Sequence, residues 1–176
     1  MVNIIALWSP APGCGKSTVA GILAEQGYQI VPFAEPMKRM IVTLLLRAGY
    51  SMDDAFNYVR VSKHEPLKRL AGEPTARHLL QTLGTEWGRD CIDTNFWTGL
   101  WTNQVQQREK VVVDDMRFVN EVAAVRKLGG QIWEIQRPGI KLTTKHRSEG
   151  GLPGVQFDRS IVNDGTIEDL IPLCHP

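Results

Sequence analysis

The chain has 176 residues, with 20 Lys+Arg against 19 Asp+Glu for a net charge of +1, and 43% of its residues are hydrophobic. That apolar content excludes a disordered chain, and near-neutral charge with a pI of about 7.8 gives no general attraction to nucleic acid or membrane. No run of 18 apolar residues offers a transmembrane helix, and Met1-Val2-Asn3-Ile4 lacks the basic start and apolar core of a signal peptide, so a cytoplasmic protein is expected.

Asn3 to Trp8 is a continuous apolar run, the pattern of a strand buried on both faces of a parallel sheet. Glycines 13 and 15 follow, then Ser17 to Gln26 predicts a helix closed by Gly27. Tyr28 to Val31 predicts a short strand. Pro36 suits the first turn of another helix, whose apolar stripe is Met37, Met40, Ile41, Leu44 and Leu45. Residues 49 to 73 have weak periodicity. A helix is expected over Pro74 to Asp90 with Leu80, Leu83 and Trp87 inward, and another over Asn95 to Gln107 after an Asp93 cap. Lys110 to Asp114 predicts a strand ending in acids, Val119 to Leu128 a helix stopped by Gly129-Gly130, and Gln131 to Gln136 a strand. Residues 137–157, rich in Gly and basic groups, predict a mobile loop or lid. Ser160 to Val162 is a last strand, and Thr166 can cap a closing helix.

Strands alternate with helices throughout, which predicts one α/β domain over 1–176 built on a parallel sheet with right-handed crossovers. Cys14, Cys91 and Cys174 are an odd number at wide spacing, so reduced thiols are expected rather than disulfides or a zinc site. His64, His78 and His175 are isolated and share no metal-ligand spacing.

The segment Ser9-Pro-Ala-Pro-Gly13-Cys14-Gly15-Lys16-Ser17-Thr18 joins the first strand to the first helix. Glycines let backbone N–H groups turn inward around phosphate oxygens, and the helix start adds partial positive charge. Lys16 would reach the β- and γ-phosphates of ATP, and the Ser17 hydroxyl would ligate Mg²⁺. The pattern Gly-x-x-x-x-Gly-Lys-Ser/Thr has its first glycine at position 10, where this chain has Pro10. Proline fixes φ and lacks an N–H, so the start of the loop must differ.

Arg77, Gln81, Thr85 and Arg89 recur every four residues opposite the Leu80/Leu83/Trp87 stripe. A guanidinium suits a phosphate and an amide can read a base edge, yet spacing alone slightly favours a plain solvated face. Lys38 and Arg39 carry the same two readings. Asp114 and Asp115 end a strand where ligands bind in open parallel sheets, so one carboxylate there could hold Mg²⁺; the alternative is a helix cap paired with Arg117. Arg137, Lys141, Lys145, His146 and Arg147 sit in the lid segment, where arginines closing over ATP would neutralise charge on a transferring phosphoryl group.

Several segments together resemble the deoxynucleoside monophosphate kinases of bacteriophages: Phe33-Ala-Glu-Pro-Met-Lys38, the run Arg77 to Arg89, and Asp115-Met-Arg-Phe-Val-Asn-Glu121. Arg137-Pro138, His146-Arg-Ser-Glu149 and Ile161-Val-Asn-Asp-Gly-Thr166 continue the match in order. The resemblance implies a P-loop nucleoside monophosphate kinase fold, three-layer α/β with a five-stranded parallel sheet, acceptor-binding helices within about 33–107 and a lid at about 137–157. It implies ATP bound by Gly13, Cys14, Gly15, Lys16, Ser17 and Thr18, with Asn163 and Gly165 near its base. Lys38, Arg77, Gln81, Arg89, Asp115 and Arg117 would hold the deoxynucleotide acceptor, Ser17 and Asp115 the Mg²⁺, and Lys16, Arg137 and Arg147 would act in transfer.

The implied reaction is in-line transfer of the ATP γ-phosphoryl group to a deoxynucleoside monophosphate, with no nucleic acid or membrane partner. Another small-molecule kinase such as dephospho-coenzyme A kinase, and an ATP-driven switch, are the competing readings. Five tryptophans supply enough aromatic surface for a homodimer, and core burial accounts for them equally.

Overall fold

A computed structural model describes residues 2–140 and 152–176. Five strands, β1 (Asn3–Trp8), β2 (Gln29–Ile30), β3 (Lys110–Val113), β4 (Gln131–Gln136) and β5 (Arg159–Val162), form one sheet in the order β2-β3-β1-β4-β5. Every neighbouring pair is parallel, and β1 lies in the middle, with Ile4 opposite Val111 and Leu7 opposite Trp133. A central parallel strand is covered on both faces, which is why Ile4, Ile5, Ala6 and Leu7 are all buried. This is the expected α/β fold of the P-loop nucleoside monophosphate kinase type.

Alternation along the strands sorts the core into two layers. Ile5, Leu7, Val112, Trp133 and Ile135 pack with Val19, Ala20 and Leu23 of α1 (Lys16–Glu25) and with Leu170 and Cys174 near the C-terminus. Ile4, Ala6, Val111, Val113 and Ile132 face the other way, toward Trp101 and Val105 of α5 (Phe96–Val105) and Val122 and Val125 of α6 (Val119–Lys127). Gly129, at φ +76, ends α6, and a Cβ on Gly130 would stand 2.7 Å from Val125 and 2.9 Å from Ile4. Thr166 caps the short α7 (Ile167–Leu170) by accepting the Asp169 N–H, and a 3₁₀ turn (Ile171–Cys174) follows.

The chain divides into two compact units, Met1–Phe33 with Thr98–Pro176, and Ala34–Trp97. The first holds the whole sheet. The second contains α2 (Glu35–Arg47), α3 (Met52–Arg60), α4 (Ala76–Thr82) and a π-helix (Leu83–Ile92), with Ile41, Val42, Leu45, Ala55, Val59, Leu67 and Ala76 at its core. In α2 the inward stripe is Met37, Ile41, Val42 and Leu45. Met40 and Leu44, expected inward, lie about 100° off that stripe and are each 44% exposed. The unassigned stretch contains α3, started by Ser51, whose Oγ accepts the Asp54 N–H at 3.1 Å; its buried face is only Ala55 and Val59.

The helix expected over 74–90 changes winding midway. From Leu83 its backbone bonds run from residue i+5 to i, as in Asp93 N–H to Gly88 O at 3.1 Å. The wider turn brings Gly84, Thr85, Gly88 and Arg89 inward and turns Trp87 outward, to 41% exposure. The cause lies in Gly84 and Gly88. The Trp97 indole lies so close to Gly88 that a Cβ there would stand 2.2 Å from its Nε1, and that N–H donates to Gly84 O at 3.0 Å.

Candidate functional site

In the sheet-bearing unit the phosphate loop runs from the carboxyl end of β1 to the start of α1. Gly13 has φ +84 and Gly15 φ +102, backbone that side-chain-bearing residues rarely adopt. Gly15 is the N-cap of α1 and has no side chain with which to cap it, so the first-turn N–H groups are offered to an anion. Ser17 and Thr18 are exposed and Cys14 is buried.

Pro10 is accommodated through its neighbour. The Ser9 hydroxyl, nearly buried, donates to Ala11 O at 2.8 Å and accepts from Lys16 Nζ at 2.5 Å. Ser9 thereby holds the lysine against the start of the loop, a role the motif pattern does not signal. Burial, with the like charge of Arg117 adding to it, holds the Lys16 ammonium below the usual lysine range, while Cys14, Asp114 and Asp115 pull the other way.

The neighbouring strands deliver the rest at the same carboxyl edge. Ser17 Oγ lies 3.5 Å from Asp114 Oδ2, whereas Asp115 Oδ1 accepts the Phe33 N–H at 2.8 Å. Asp114 is thus an acid beside Ser17, while Asp115 engages the Phe33 backbone. The two follow one another just past the end of β3, in the turn that leads to α6. A hydroxyl and a carboxylate are hard oxygen donors that suit Mg²⁺. Arg117 is exposed. The buried Glu121 accepts the Arg117 N–H at 2.6 Å and the Phe118 N–H at 3.1 Å through one oxygen, which fixes the turn after Asp115.

Arg137 is exposed just after β4. Asn163, just after β5, is buried, and its Nδ2 donates to Cys14 O at 3.0 Å. The structure thus puts the Asn163 side chain against the phosphate loop; Gly165 is exposed. Of the lid residues, Lys141, Lys145, His146 and Arg147 lie outside the described residues. Phe157 stacks on Trp8 with ring centres 5.1 Å apart. Asp158 accepts from Arg126 and from the Ile132 N–H, at 2.5 and 2.6 Å, fastening the returning chain to β4.

In the other unit, Arg77 and Gln81 on α4 are half-buried, and Thr85 and Arg89 on the π-helix are buried. The solvated face that spacing slightly favoured is thus replaced by a row of which no member is exposed. The Arg89 guanidinium donates to Gly84 O at 2.6 Å. Lys38 is half-buried on α2. Among the described residues no group of three or more His, Cys, Asp or Glu could hold a metal, the three cysteines are free, and no helix is long and apolar enough to cross a membrane.

The family described as "Deoxynucleotide monophosphate kinase" matches residues 44–172. A protein of Acanthamoeba polyphaga mimivirus, named provisionally as a deoxynucleotide monophosphate kinase, is 33% identical over 90% of this chain and 87% of its own length. The deoxynucleotide monophosphate kinases of Escherichia phage RB69 and Enterobacteria phage T4 are 29% and 28% identical over 68% and 66% of this chain. The matched region spans about half the length of those two phage proteins (53% and 51%). With a phosphate loop at the centre of a parallel five-stranded sheet and a match over most of its length, the chain belongs to the deoxynucleotide monophosphate kinase family.

Proposed function

We propose that this chain transfers the γ-phosphoryl group of ATP to the α-phosphate of a deoxynucleoside monophosphate, giving the deoxynucleoside diphosphate and ADP. The observation that carries the reading is the phosphate loop itself: left-handed Gly13 and Gly15, an uncapped α1, and Lys16 with Ser17 at the carboxyl end of β1. The loop N–H groups and Lys16 bind the donor phosphates and stabilise the charge that builds during transfer. Ser17 and Asp114 are the residues suited to hold Mg²⁺, which when bound would neutralise charge on the β- and γ-phosphate oxygens.

An acceptor phosphate is already largely ionised near neutral pH, so the reaction needs positioning and charge neutralisation rather than a strong base. Arg77 and Gln81 are proposed to hold the acceptor, with Lys38, Arg89, Asp115 and Arg117 in support. Arg137 and Arg147 are proposed to neutralise the transferring group. The partly desolvated setting of Lys16 strengthens its pull on phosphate relative to a solvated lysine.

The test is ATP-dependent product formation across dGMP, dTMP, dCMP, dAMP, the four ribonucleotides and dephospho-coenzyme A, with wild type and Lys16→Ala. Deoxynucleoside diphosphates from the wild type, and none from a folded Lys16→Ala protein, are expected. ATP binding with every nucleotide inert, or near-normal turnover by Lys16→Ala, refutes the proposal.

A further inference from the structure

Asn163 leaves β5 with its backbone N–H still in the sheet ladder, donating to Gln136 O at 2.8 Å. Its position is therefore set by the sheet and not by the loop it touches. From there the buried amide reaches Cys14 O, at 3.0 Å and 149 residues away in sequence. The fit is tight, because a Cβ on Gly15 would stand 2.3 Å from Asn163 Nδ2.

The Cys14 carbonyl and the Gly15 N–H belong to one peptide unit, and no peptide among the described residues is cis. In a trans peptide these two groups point to opposite sides of the bond. Fastening Cys14 O to Asn163 therefore turns the Gly15 N–H away from the sheet end. It becomes a donor at the start of α1, among the N–H groups that have no partner within the helix. A free carbonyl at this point could rotate inward and present negative charge to a phosphate.

We propose that Asn163 is a positioning residue of the phosphate loop, holding the Cys14–Gly15 peptide so that the Gly15 N–H faces the donor polyphosphate. The inference rests on the kinase reading and gives Asn163 a task different from contact with the ATP base. It also pairs Asn163 with Gly15, since no residue with a β-carbon fits beside the amide.

The experiment uses the full chain with Asn163→Ala, Asn163→Asp and Asn163→Ser, and calorimetric titration with Mg-ATP and with inorganic Mg-tripolyphosphate, which has no base. The Asp variant keeps the side-chain shape but sets a carboxylate against the Cys14 oxygen, and the Ser variant is too short to reach it. Losing one buried hydrogen bond and the aim of an N–H should weaken both titrants by a common factor of about ten or more. KM for the deoxynucleotide should stay at the wild-type value.

Unchanged affinity for both titrants in folded variants overturns the inference, and so does loss for Mg-ATP alone, which would mark a base contact. Should the Ala variant fail to fold, the Asp and Ser variants decide, because both keep a polar group in the pocket. A wild type that binds neither titrant refutes the kinase reading itself.

Discussion

Gly88→Ala tests the account of the π-helix, because its added methyl meets something specific. The new Cβ would stand 2.2 Å from Nε1, 2.6 Å from Cε2 and 2.9 Å from Cζ2 of Trp97. These are atoms of one rigid, buried ring, so no flexible side-chain end can swing away. The indole must shift, and its N–H then leaves Gly84 O, which Arg89 also uses. Overpacking of this kind costs about 1–3 kcal/mol, and the strained buried hydrogen bond adds about 1–2 kcal/mol. At ~2–4 °C per kcal/mol for a chain of this size, Tm should fall by roughly 4–20 °C. Gly21→Ala is the internal control, since a Cβ at Gly21, inside α1, meets nothing within 4 Å. Relief of the glycine penalty should there stabilise by about 0.5–1 kcal/mol. Urea unfolding followed by circular dichroism and tryptophan fluorescence measures both. A Gly88→Ala protein as stable as wild type would refute the packing argument.

Other consequences follow from single groups. The depressed Lys16 pKa, caused by burial and then by Arg117, predicts two trends of opposite sign. ATP affinity should fall as pH rises through that lowered value, below the range of an ordinary lysine. The unliganded protein should gain stability over the same rise, because below it the folded state carries a buried charge that the unfolded state solvates. Arg117→Ala should move both trends to higher pH, in calorimetry and in pH-dependent melting. Asp114→Asn should raise the Mg²⁺ concentration needed for half-maximal turnover about tenfold or more, whereas Asp115→Asn should raise it less; equal effects would contradict the Ser17–Asp114 assignment. Glu121→Ala strands two amide N–H groups and should cost about 2–4 kcal/mol, while Glu121→Gln keeps an acceptor and most of the stability, as denaturant unfolding would report.

The central strands β1 and β3 were legible because a strand buried on both faces is apolar throughout, and glycines mark the phosphate-loop turn and the ends of α1 and α6. Val111-Val112-Val113 shows this plainly, and the phosphate loop was legible for a related reason, since it needs glycine at positive φ. The π-helix was not legible. Its winding depends on an indole, 9 and 13 residues farther along, packing on Gly88 and Gly84, and no periodicity within the segment encodes that contact. α3 was hidden because its inner face is only Ala55 and Val59. That Asp114 meets Ser17 while Asp115 accepts the Phe33 N–H follows from the turn after β3, which two adjacent identical residues cannot signal. Ser9 carries no motif letter, yet Lys16 rests on it.

The position of β1 bears on how the chain is made. The middle strand precedes its sheet partners in the chain, and its partner Lys110–Val113 emerges from the ribosome only about a hundred residues later. At synthesis rates of about 5–20 residues per second, the apolar run Ile4 to Leu7 waits roughly 5–20 s without a neighbouring strand. The unit Ala34–Trp97 is contiguous in sequence and complete before that partner appears. During synthesis the apolar run Ile4 to Leu7 is thus exposed without a sheet partner, the condition in which unpaired strand edges favour aggregation.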